Sequence, residues 1–465
     1  MSGVFGVVSQ GDCIRDLFHG TDYHSHMGAE RAGLAVLGDS FEQEIHRLGS
    51  EQFRGRFDHT LSELKGDQGI GVITGIRESQ PLIVGSKMGN FALVVLGLIT
   101  NAQELAKGLQ AKGHVFSEMS DGKISSVEVA AKLIAQGEDY VAGINSFFDQ
   151  IEGSASVLIL TQNGLIYAAR DKHGRTPLAI GTKDESIAVA SESCAFINLG
   201  YTITNFLQPG EIDLISKGRC SKVQEGNPEN LQICSFLWIY TSFPASCPEG
   251  IQVESVRERC GRALARRDDV EVDYAAGVPD SGTGHGLGYA SEKGIPYRRP
   301  LVKYTPSYGR SYTPVSQHER DFIARMKLIP NEDIIQDQRI VLCEDSIVRG
   351  TQLKNETVRK LWQAGAKEIH VRPACPPLMF PCIYLASTRG INELAARRAV
   401  RALEGRDVED ISDYLDPDSA KYEQMVKWIE QDIDITSLRY QRLDDMVEAI
   451  GLPKDKLCLY CWRGY

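Results

Sequence analysis

The sequence lacks an excess of positive charge: its 465 residues carry 62 Asp and Glu against 51 Lys and Arg, a net charge of −11 at pH 7. Such a chain has no overall attraction for a phosphate backbone, which argues against nucleic acid as a partner. A long apolar run is also missing, because the most apolar stretch, residues 91–99, is far shorter than the roughly 20 residues that cross a bilayer. No signal-peptide pattern opens the chain. These absences predict a cytoplasmic protein with no membrane partner.

Low-complexity composition is absent as well. Hydrophobic residues make up 42% of the chain and charged residues 24%, which is typical of a folded globular protein. The length is about three times the commonest domain size and predicts two or more domains. The 11 cysteines are odd in number and scattered, so we expect mostly reduced thiols, with any functional ones acting as metal or redox ligands.

The pattern of apolar runs changes near residue 230. Before it, short apolar runs bounded by Gly, Asp or Asn are typical of a mostly antiparallel sheet, with one clear helix at about 126–136. A polar, turn-rich segment at 220–230 follows. After it, strands and helices alternate, which is typical of a parallel sheet covered by helices. We therefore predict two domains, 1–230 and 231–465, the second ending in charged helices and a cysteine-containing tail.

The segment 341–351 places reactive side chains at the end of a predicted strand. Two adjacent carboxylates, Glu344 and Asp345, end the apolar run, and a loop containing Ser346 and Thr351 opens a helix. Backbone N–H groups at a helix start, together with the hydroxyls, form a site for a terminal phosphate, while the carboxylates can hold vicinal hydroxyls. A phosphorylated ribose meets both demands. The alternative, solvated acidic residues at a strand end, is disfavoured by the length of the pattern.

This segment resembles the phosphoribosyl-pyrophosphate (PRPP) loop of type I phosphoribosyltransferases, and in detail that of the amidophosphoribosyltransferase family. The family motif reads Asp-Asp-Ser-Ile-Val-Arg-Gly-Thr-Thr, so Glu344 and Gln352 depart from it. Residues 278–282 resemble the family's pyrophosphate loop and residues 308–312 its flexible loop. The resemblance implies an α+β N-terminal-nucleophile domain with four αββα layers, followed by an α/β phosphoribosyltransferase domain with a parallel sheet.

The resemblance also implies the chemistry: ammonia displaces pyrophosphate from C1 of PRPP to give phosphoribosylamine for purine biosynthesis, a pentosyltransferase reaction that uses Mg²⁺. The residues implied in PRPP binding are Asp280, Ser281, Glu344, Asp345, Ser346, Ile347, Val348, Arg349, Gly350 and Thr351. Mg²⁺ is expected near Glu344 and Asp345. Further implied partners are a purine-nucleotide effector and a second or further copies of the chain, as a homodimer or homotetramer.

Two cations are candidates for covering the leaving pyrophosphate. By the same resemblance, Lys303 and Arg310 are the expected catalytic side chains of the closing loop. The spacing between them is one residue longer than in the family, which supports the alternative that both are ordinary surface charges.

Four cysteines fall on family blocks. The pair Cys458 and Cys461 alone is a weak metal or redox signal. Iron–sulfur members of the family use four cysteines, and Cys234 and Cys382 match the other two positions. The resemblance therefore implies a structural 4Fe–4S cluster. Zinc bound by the same four thiolates is the alternative.

The first domain resembles the family's glutaminase but departs from it at the active-site positions. Ser2 stands where the family has an N-terminal cysteine nucleophile. The Arg-Tyr-Ser-Thr block is replaced at 72–75 without a matching cation, the oxyanion-hole Asn is Leu96, and the amine-holding Asp is Ser126. Losing these charge-assisted contacts argues against glutamine hydrolysis, so we expect free ammonia, ammonia from a partner or another small nucleophile as acceptor.

Two alternative functions stay open at this point. The chain could be a non-catalytic PRPP or purine-nucleotide sensor that regulates a true amidotransferase. It could also use Ser2, exposed by removal of the initiator Met, as the N-terminal nucleophile of an amidase acting on an amide other than glutamine.

Overall fold

The computed structural model describes residues 2–28, 30–48, 52–304, 326–385 and 390–465. They form two compact units: residues 1–234, 245–250 and 383–386 in the first, and residues 235–244, 251–382 and 387–465 in the second. The domain boundary at residue 230 stays a prediction. Among the described residues, no helix is both long enough and apolar enough to span a membrane.

Two large antiparallel sheets form the first unit. Its strands are β1 (Ser2–Val8), β2 (Arg31–Leu37), β3 (Phe41–Arg47), β4 (Gln68–Thr74), β5 (Leu82–Ser86), β6 (Gly89–Ile99), β7 (Met119–Ser120), β8 (Lys123–Ile124), β9 (Gly153–Thr161), β10 (Ile166–Arg170), β11 (Ala179–Lys183), β12 (Ser186–Ala190), β13 (Thr202–Phe206), β14 (Ile212–Ser216), β15 (Arg219–Gln224) and β16 (Ile233–Cys234). One sheet has the order β13-β11-β12-β1-β4-β2-β3 and the other β15-β14-β10-β9-β6-β5.

Helices cover the outer faces of both sheets. They are α1 (Ile14–Asp22), α2 (Phe53–Phe57), α3 (Thr60–Glu63), α4 (Ala102–Ala111), α5 (Ser126–Ile134), α6 (Tyr140–Gln150) and α7 (Cys194–Ile197). Val4, Val72 and Leu158 belong to the core between the sheets. Because the central strands are buried on both faces, β6 and β9 are nearly continuous apolar runs. This is the predicted αββα arrangement.

Two local predictions for the first unit can be compared with the structure. The helix predicted at 126–136 is present as α5 and begins at the Ser125 N-cap, whose hydroxyl accepts from the Glu128 N–H at 3.4 Å. The turn-rich segment predicted at 220–230 is wrong in its first half, because β15 continues to Gln224. That strand is the edge of its sheet and half-exposed, so its polar composition reflects solvent on one side rather than a turn.

A parallel sheet is the centre of the second unit. The strands are β17 (Tyr274–Gly277), β18 (Leu301–Lys303), β19 (Leu328–Pro330), β20 (Arg339–Glu344), β21 (Glu368–Pro373), β22 (Ser437–Leu438) and β23 (Leu457–Cys458). The helices are α8 (Val253–Arg266), α9 (Thr283–Lys293), α10 (Glu332–Ile335), α11 (Arg359–Gln363), α12 (Ala395–Glu404), α13 (Ser412–Leu415), α14 (Ala420–Ile433), α15 (Leu443–Ile450) and α16 (Tyr460–Arg463). The sheet order is β17-β20-β21-β22, with every neighbour parallel. All four strands therefore end at the same edge, where ligands of open parallel sheets bind.

A buried ion pair joins this sheet to α8 and α9. The Arg372 guanidinium on β21 donates to both carboxylate oxygens of Asp268, which follows α8. The two side chains are 1% and 0% exposed. The Tyr289 hydroxyl on α9 donates to the same carboxylate at 2.8 Å. One carboxylate thus ties two helices to the centre of the sheet.

Candidate functional site

The ends of β17 and β20 bring two predicted loops together. Val278 donates its N–H to the Cys343 carbonyl at 3.0 Å. A Cβ on Gly282 would collide with that same carbonyl, and a Cβ on Gly277 would collide with the backbone of Gly282. Only glycine permits so close a backbone approach. The predicted pyrophosphate loop, 278–282, consequently lies against the strand that leads into the predicted PRPP loop.

The paired carboxyls at the end of β20 are both buried. The Ser281 hydroxyl donates to Glu344 Oε1 at 3.3 Å, the Asp345 N–H donates to the same oxygen at 3.0 Å, and Ser346 Oγ donates to Asp345 Oδ2 at 2.5 Å. Within the described ranges, neither carboxyl forms an ion pair. Burial, together with the adjacent negative charge of Asp345, raises the pKa of Glu344 well above its usual range. Two adjacent buried acidic groups suit Mg²⁺ or ribose hydroxyl donors.

Replacing Glu344 with Gln should stabilise the ligand-free protein at neutral pH. A carboxyl whose folded pKa is raised destabilises the folded state progressively as pH rises above the unfolded value near 4.5. The neutral amide removes that cost, so the melting temperature of Glu344→Gln should exceed that of wild type at pH 7 and converge with it at pH 4. Melting curves across this range test the expectation. The exposed Glu332→Gln variant is the control, and an equal effect in both variants would contradict it.

Lys303 contacts the predicted pyrophosphate loop. It ends β18, whose antiparallel partner β19 holds it in place, and its Nζ lies 2.5 Å from Asp280 Oδ2. Asp280 is 68% exposed, so this cation stands at the open side of the loop. The other predicted catalytic cation, Arg310, lies outside the described residues, as do the family positions around it.

The predicted phosphate-binding stretch, Ser346–Thr351, is held from the side by α12. The first N–H of that helix, on Ala395, donates to the Val348 carbonyl at 2.7 Å, and Arg398 Nη2 donates to the Arg349 carbonyl at 2.9 Å. Arg349 forms an ion pair with Glu393. Gly350 has a φ of +76°, which favours glycine, and the turn that it makes leads into the helical segment ending with α11.

Three of the four predicted cluster cysteines lie in the second unit, where the C-terminal tail is anchored. The Cys461 carbonyl accepts from Met379 N at 3.0 Å and from Phe380 N at 3.1 Å, two residues before Cys382. The Ser235 hydroxyl donates to the Cys458 carbonyl at 3.0 Å. The Trp462 ring stacks on Phe236, with centroids 5.1 Å apart. The backbone thus holds the tail close to the Cys382 segment.

Five of the cysteines outside the predicted cluster are thiols whose surroundings favour the protonated form. All 11 lie in the described part of the chain, and none is joined in a disulfide. Burial raises the pKa of Cys194, Cys220 and Cys260 to about 12. Burial also raises the pKa of Cys343 and Cys375. Thiols protonated in this way are poor ligands and poor nucleophiles.

In the first unit, Ser2 contacts a hydroxyl that sequence reasoning missed. Ser2 faces Thr74 in the register of β1 with β4, and their hydroxyl oxygens lie 2.9 Å apart. Thr74 is fully buried. Only the strand register, over a separation of 72 residues, places this hydroxyl beside the N-terminus.

Where the sequence differs from the family's glutaminase, the side chains are buried in the core or hydrogen-bonded to another residue. Ile73 and Leu96 are buried and belong to two different core clusters. Ser126 opens α5, and its N–H and hydroxyl donate to the two Glu78 oxygens at 2.8 and 2.7 Å. Nothing in the local sequence indicates that Glu78 contacts Ser126, because the two residues are 48 positions apart.

Known proteins match this chain in the first unit and over its full length. Residues 69–198 match a family model described as a glutamine amidotransferase domain. The amidophosphoribosyltransferase of Methanocaldococcus jannaschii is 32% identical over 490 residues, which cover 100% of this chain and 97% of that protein. The amidophosphoribosyltransferase of Bacillus subtilis is 33% identical over 479 residues, covering 99% and 93%.

Two solved structures share the fold over the whole chain. Glutamine PRPP amidotransferase from B. subtilis, complexed with ADP and GMP, superposes with a TM-score of 0.84 at 30% identity, covering 100% of this chain and 96% of that one. A structure of the allosteric regulatory enzyme of purine biosynthesis gives a TM-score of 0.81 at 30% identity, covering 100% and 95%. The predicted fold class, a glutaminase-type domain followed by a phosphoribosyltransferase domain, is confirmed.

Proposed function

This chain belongs to the amidophosphoribosyltransferase family, pentosyltransferases of purine biosynthesis, and we propose that it displaces pyrophosphate from PRPP with ammonia. One observation carries the proposal: the Asp280–Lys303 ion pair and the Ser281–Glu344 hydrogen bond bring the two loops and the expected cation to one strand edge. A site with this charge pattern suits a phosphorylated sugar whose leaving group is a polyanion.

Each group has a stated task in the proposed reaction. Asp345 and Glu344 accept hydrogen bonds from the ribose hydroxyls, which fixes C1 toward the nucleophile. Lys303 exchanges Asp280 for a pyrophosphate oxygen and stabilises the charge that develops on the leaving group. Mg²⁺, when bound beside the carboxylates, supplies further positive charge to the pyrophosphate. Ammonia attacks C1 as the C1–O bond to pyrophosphate breaks, and the resulting ammonium group then loses a proton to water.

The nitrogen source is a separate part of the proposal. The match of residues 69–198 to a glutamine amidotransferase domain gives no support to a loss of glutamine hydrolysis, whereas individual side chains of that domain favour ammonia. Ser2 is a weaker nucleophile than the family's cysteine. Leu96 is core and offers no oxyanion donor, and Ser126 is engaged by Glu78. We therefore propose that ammonia, free or delivered by another protein, is the better substrate.

Pyrophosphate release from PRPP tests the function directly. With Mg²⁺ and protein purified without oxygen, we expect release with ammonium and at least about 100-fold less with glutamine, which is the lower range for losing one oxyanion donor. Release with glutamine at the ammonium rate would overturn the nitrogen-source proposal while leaving the transferase intact. PRPP binding without release under any condition would favour the sensor alternative, which the comparisons do not support.

The same comparisons give no support to the Ser2 amidase alternative. Intact mass is a simple check, because retention of Met1 would remove Ser2 from the chain terminus. Cleavage of Met1 together with hydrolysis of an amide other than glutamine would support the amidase alternative.

We further infer that Cys234, Cys382, Cys458 and Cys461 hold a 4Fe–4S cluster. The Cys461 carbonyl accepts from Met379 and Phe380, close in sequence to Cys382, and the Ser235 hydroxyl, next to Cys234 in sequence, donates to the Cys458 carbonyl. These contacts support a shared metal centre. The resemblance to iron–sulfur members of the family favours a 4Fe–4S cluster over zinc in the same ligands.

Cluster content tests that inference. Cys461→Ser should lose most of the iron and acid-labile sulfide that wild type retains when prepared without oxygen, because one of four ligands is gone. Cys220→Ser, a half-buried thiol outside the set, should keep both. Zinc instead of iron in wild type, or full iron retention in Cys461→Ser, would contradict the assignment.

Purine nucleotides are the expected regulators of this chain. The B. subtilis structure contains ADP and GMP, and we propose that purine nucleotides also bind this chain. The cytoplasmic location and the homo-oligomer stay predictions.

A further inference from the structure

Two histidines and a glutamate converge at the edge strand β3. Glu44 and His46 are two residues apart on this strand, so both side chains leave the same face of the sheet. His59 comes from the link between α2 and α3, whose neighbours Phe57 and Thr60 contact His46 and Glu44. One ligand atom from each of the three side chains lies within 4.8 Å of the other two. Neither the family resemblance nor the proposed reaction uses any of them.

The three groups meet through one carboxylate oxygen. Glu44 Oε1 accepts from His46 Nε2 and lies 2.8 Å from His59 Nε2. The two imidazole rings have their centroids 6.1 Å apart at an angle of 75°. Both rings thus direct the same kind of nitrogen toward the same point. An ion placed there would displace the protons that now bridge nitrogen and oxygen.

Surrounding contacts hold the ligands in place. The buried Thr60 hydroxyl donates to Glu44 Oε2 at 2.6 Å, which orients the carboxylate and leaves Oε1 for the histidines. The fully buried Phe57 ring meets the His46 ring edge-on, with centroids 4.9 Å apart. A hydrogen-bonded carboxylate and a ring packed against a core aromatic are the supporting contacts that metal sites use to fix their ligands.

Charge and access also suit a cation. The Glu44 carboxylate supplies the negative charge among the three ligand side chains. The Glu44 side chain is 17% exposed and that of His59 is 49% exposed. The anionic ligand is therefore sheltered, while solvent reaches the site from the His59 side.

We propose that Glu44, His46 and His59 form a binding site for a divalent transition metal, with Zn²⁺ as the preferred ion. Two imidazoles and one carboxylate favour such an ion over Mg²⁺ or Ca²⁺, which prefer oxygen ligands. Ligands at about 2.0–2.2 Å from Zn²⁺ lie about 3.4 Å apart in a tetrahedron, so the present spacing needs only small side-chain movements. The fourth position is left to water on the exposed side.

Zinc titration of the full-length protein tests the site. After removal of loosely bound metal with a chelator, wild type should bind one Zn²⁺ that His59→Ala and Glu44→Gln do not bind. Thr60→Val, which removes only the supporting hydroxyl, should weaken binding by about 10- to 100-fold. His114→Ala, a histidine outside the group, should bind as wild type does. Equal binding by wild type and His59→Ala would overturn the proposal.

X-ray absorption of the bound zinc separates this site from the cysteines. Nitrogen and oxygen neighbours alone are expected, and sulfur neighbours would place the metal on thiolates and overturn the assignment. Transferase activity with ammonium should be the same in His59→Ala as in wild type, so a failure of the proposed reaction leaves this test unaffected. A melting temperature that rises with Zn²⁺ in wild type but not in His59→Ala gives a second readout.

Discussion

Replacing Asp345 with Asn should lower kcat/KM for PRPP by about 100- to 10,000-fold. The carboxylate is 6% exposed and lies at the end of β20, where the proposed reaction needs it to accept the ribose hydroxyls and to attract Mg²⁺. A hydrogen bond to a charged group contributes about 1.5–3 kcal/mol, and two such bonds account for this range. The amide keeps the shape of the side chain but removes its charge. Pyrophosphate release with saturating ammonium measures the loss.

Folding and function can be separated for this variant. Asp333→Asn, an exposed acid at the start of α10, should retain wild-type kinetics. The melting temperature of Asp345→Asn should not fall, because removing one of two adjacent carboxyls relieves the repulsion that Glu344 feels. Near wild-type kcat/KM in a folded Asp345→Asn protein would contradict the placement of PRPP at this strand edge.

Replacing Asp268 with Asn should destabilise the second unit by about 3–5 kcal/mol. Removal of one partner from a buried ion pair leaves the other charge uncompensated, and Arg372 is 1% exposed. For a unit of this size the change corresponds to a fall in melting temperature of about 6–20 °C. Calorimetry should show this shift in one transition, which identifies the unfolding of the second unit.

A neighbouring residue provides the control for Asp268. Asp269 forms an ion pair with Arg439 at 3.1 Å, but the Asp269 side chain is 85% exposed, so Asp269→Asn should change stability by less than about 1 kcal/mol.

The stabilisation by Asp268 depends on pH. Although burial opposes it, pairing with Arg372 holds the pKa of Asp268 below its ordinary 3.8, so its stabilisation is complete at neutral pH and is lost only in more acidic solution. A difference between wild type and Asp268→Asn that vanishes at pH 6 would contradict the pairing.

The proposed transferase site follows from local patterns, and its residues stay a prediction. Residues 341–351 carry their chemistry within one strand, one loop and one helix start, so the same short segment determines both the motif and its geometry. The meeting of Ser281 with Glu344 follows because parallel strands end at a common edge. Helix α5 was equally predictable, since its cap and its apolar spacing are local.

Contacts between distant segments could not be predicted in this way. Ser2 meets Thr74 only through the register of two antiparallel strands, and a shift of one residue would turn either side chain to the other face. Asp268 meets Arg372 across 104 residues of sequence. The Glu44, His46 and His59 group depends on a short helical link folding back over an edge strand. None of these spacings matches a motif, because the fold rather than the local sequence sets the distance.

The anchoring of the tail has a consequence for biosynthesis. Met379 and Phe380 donate their N–H groups to the carbonyl of Cys461, which follows them by 82 and 81 residues in the sequence. Because a chain is synthesised from its N-terminus, Cys234 and Cys382 leave the ribosome before Cys458 and Cys461. The two earlier cysteines must therefore stay reduced and unligated until the later pair arrives. Assembly of the proposed cluster can begin only after residue 461 has been released, late in the folding of the second unit.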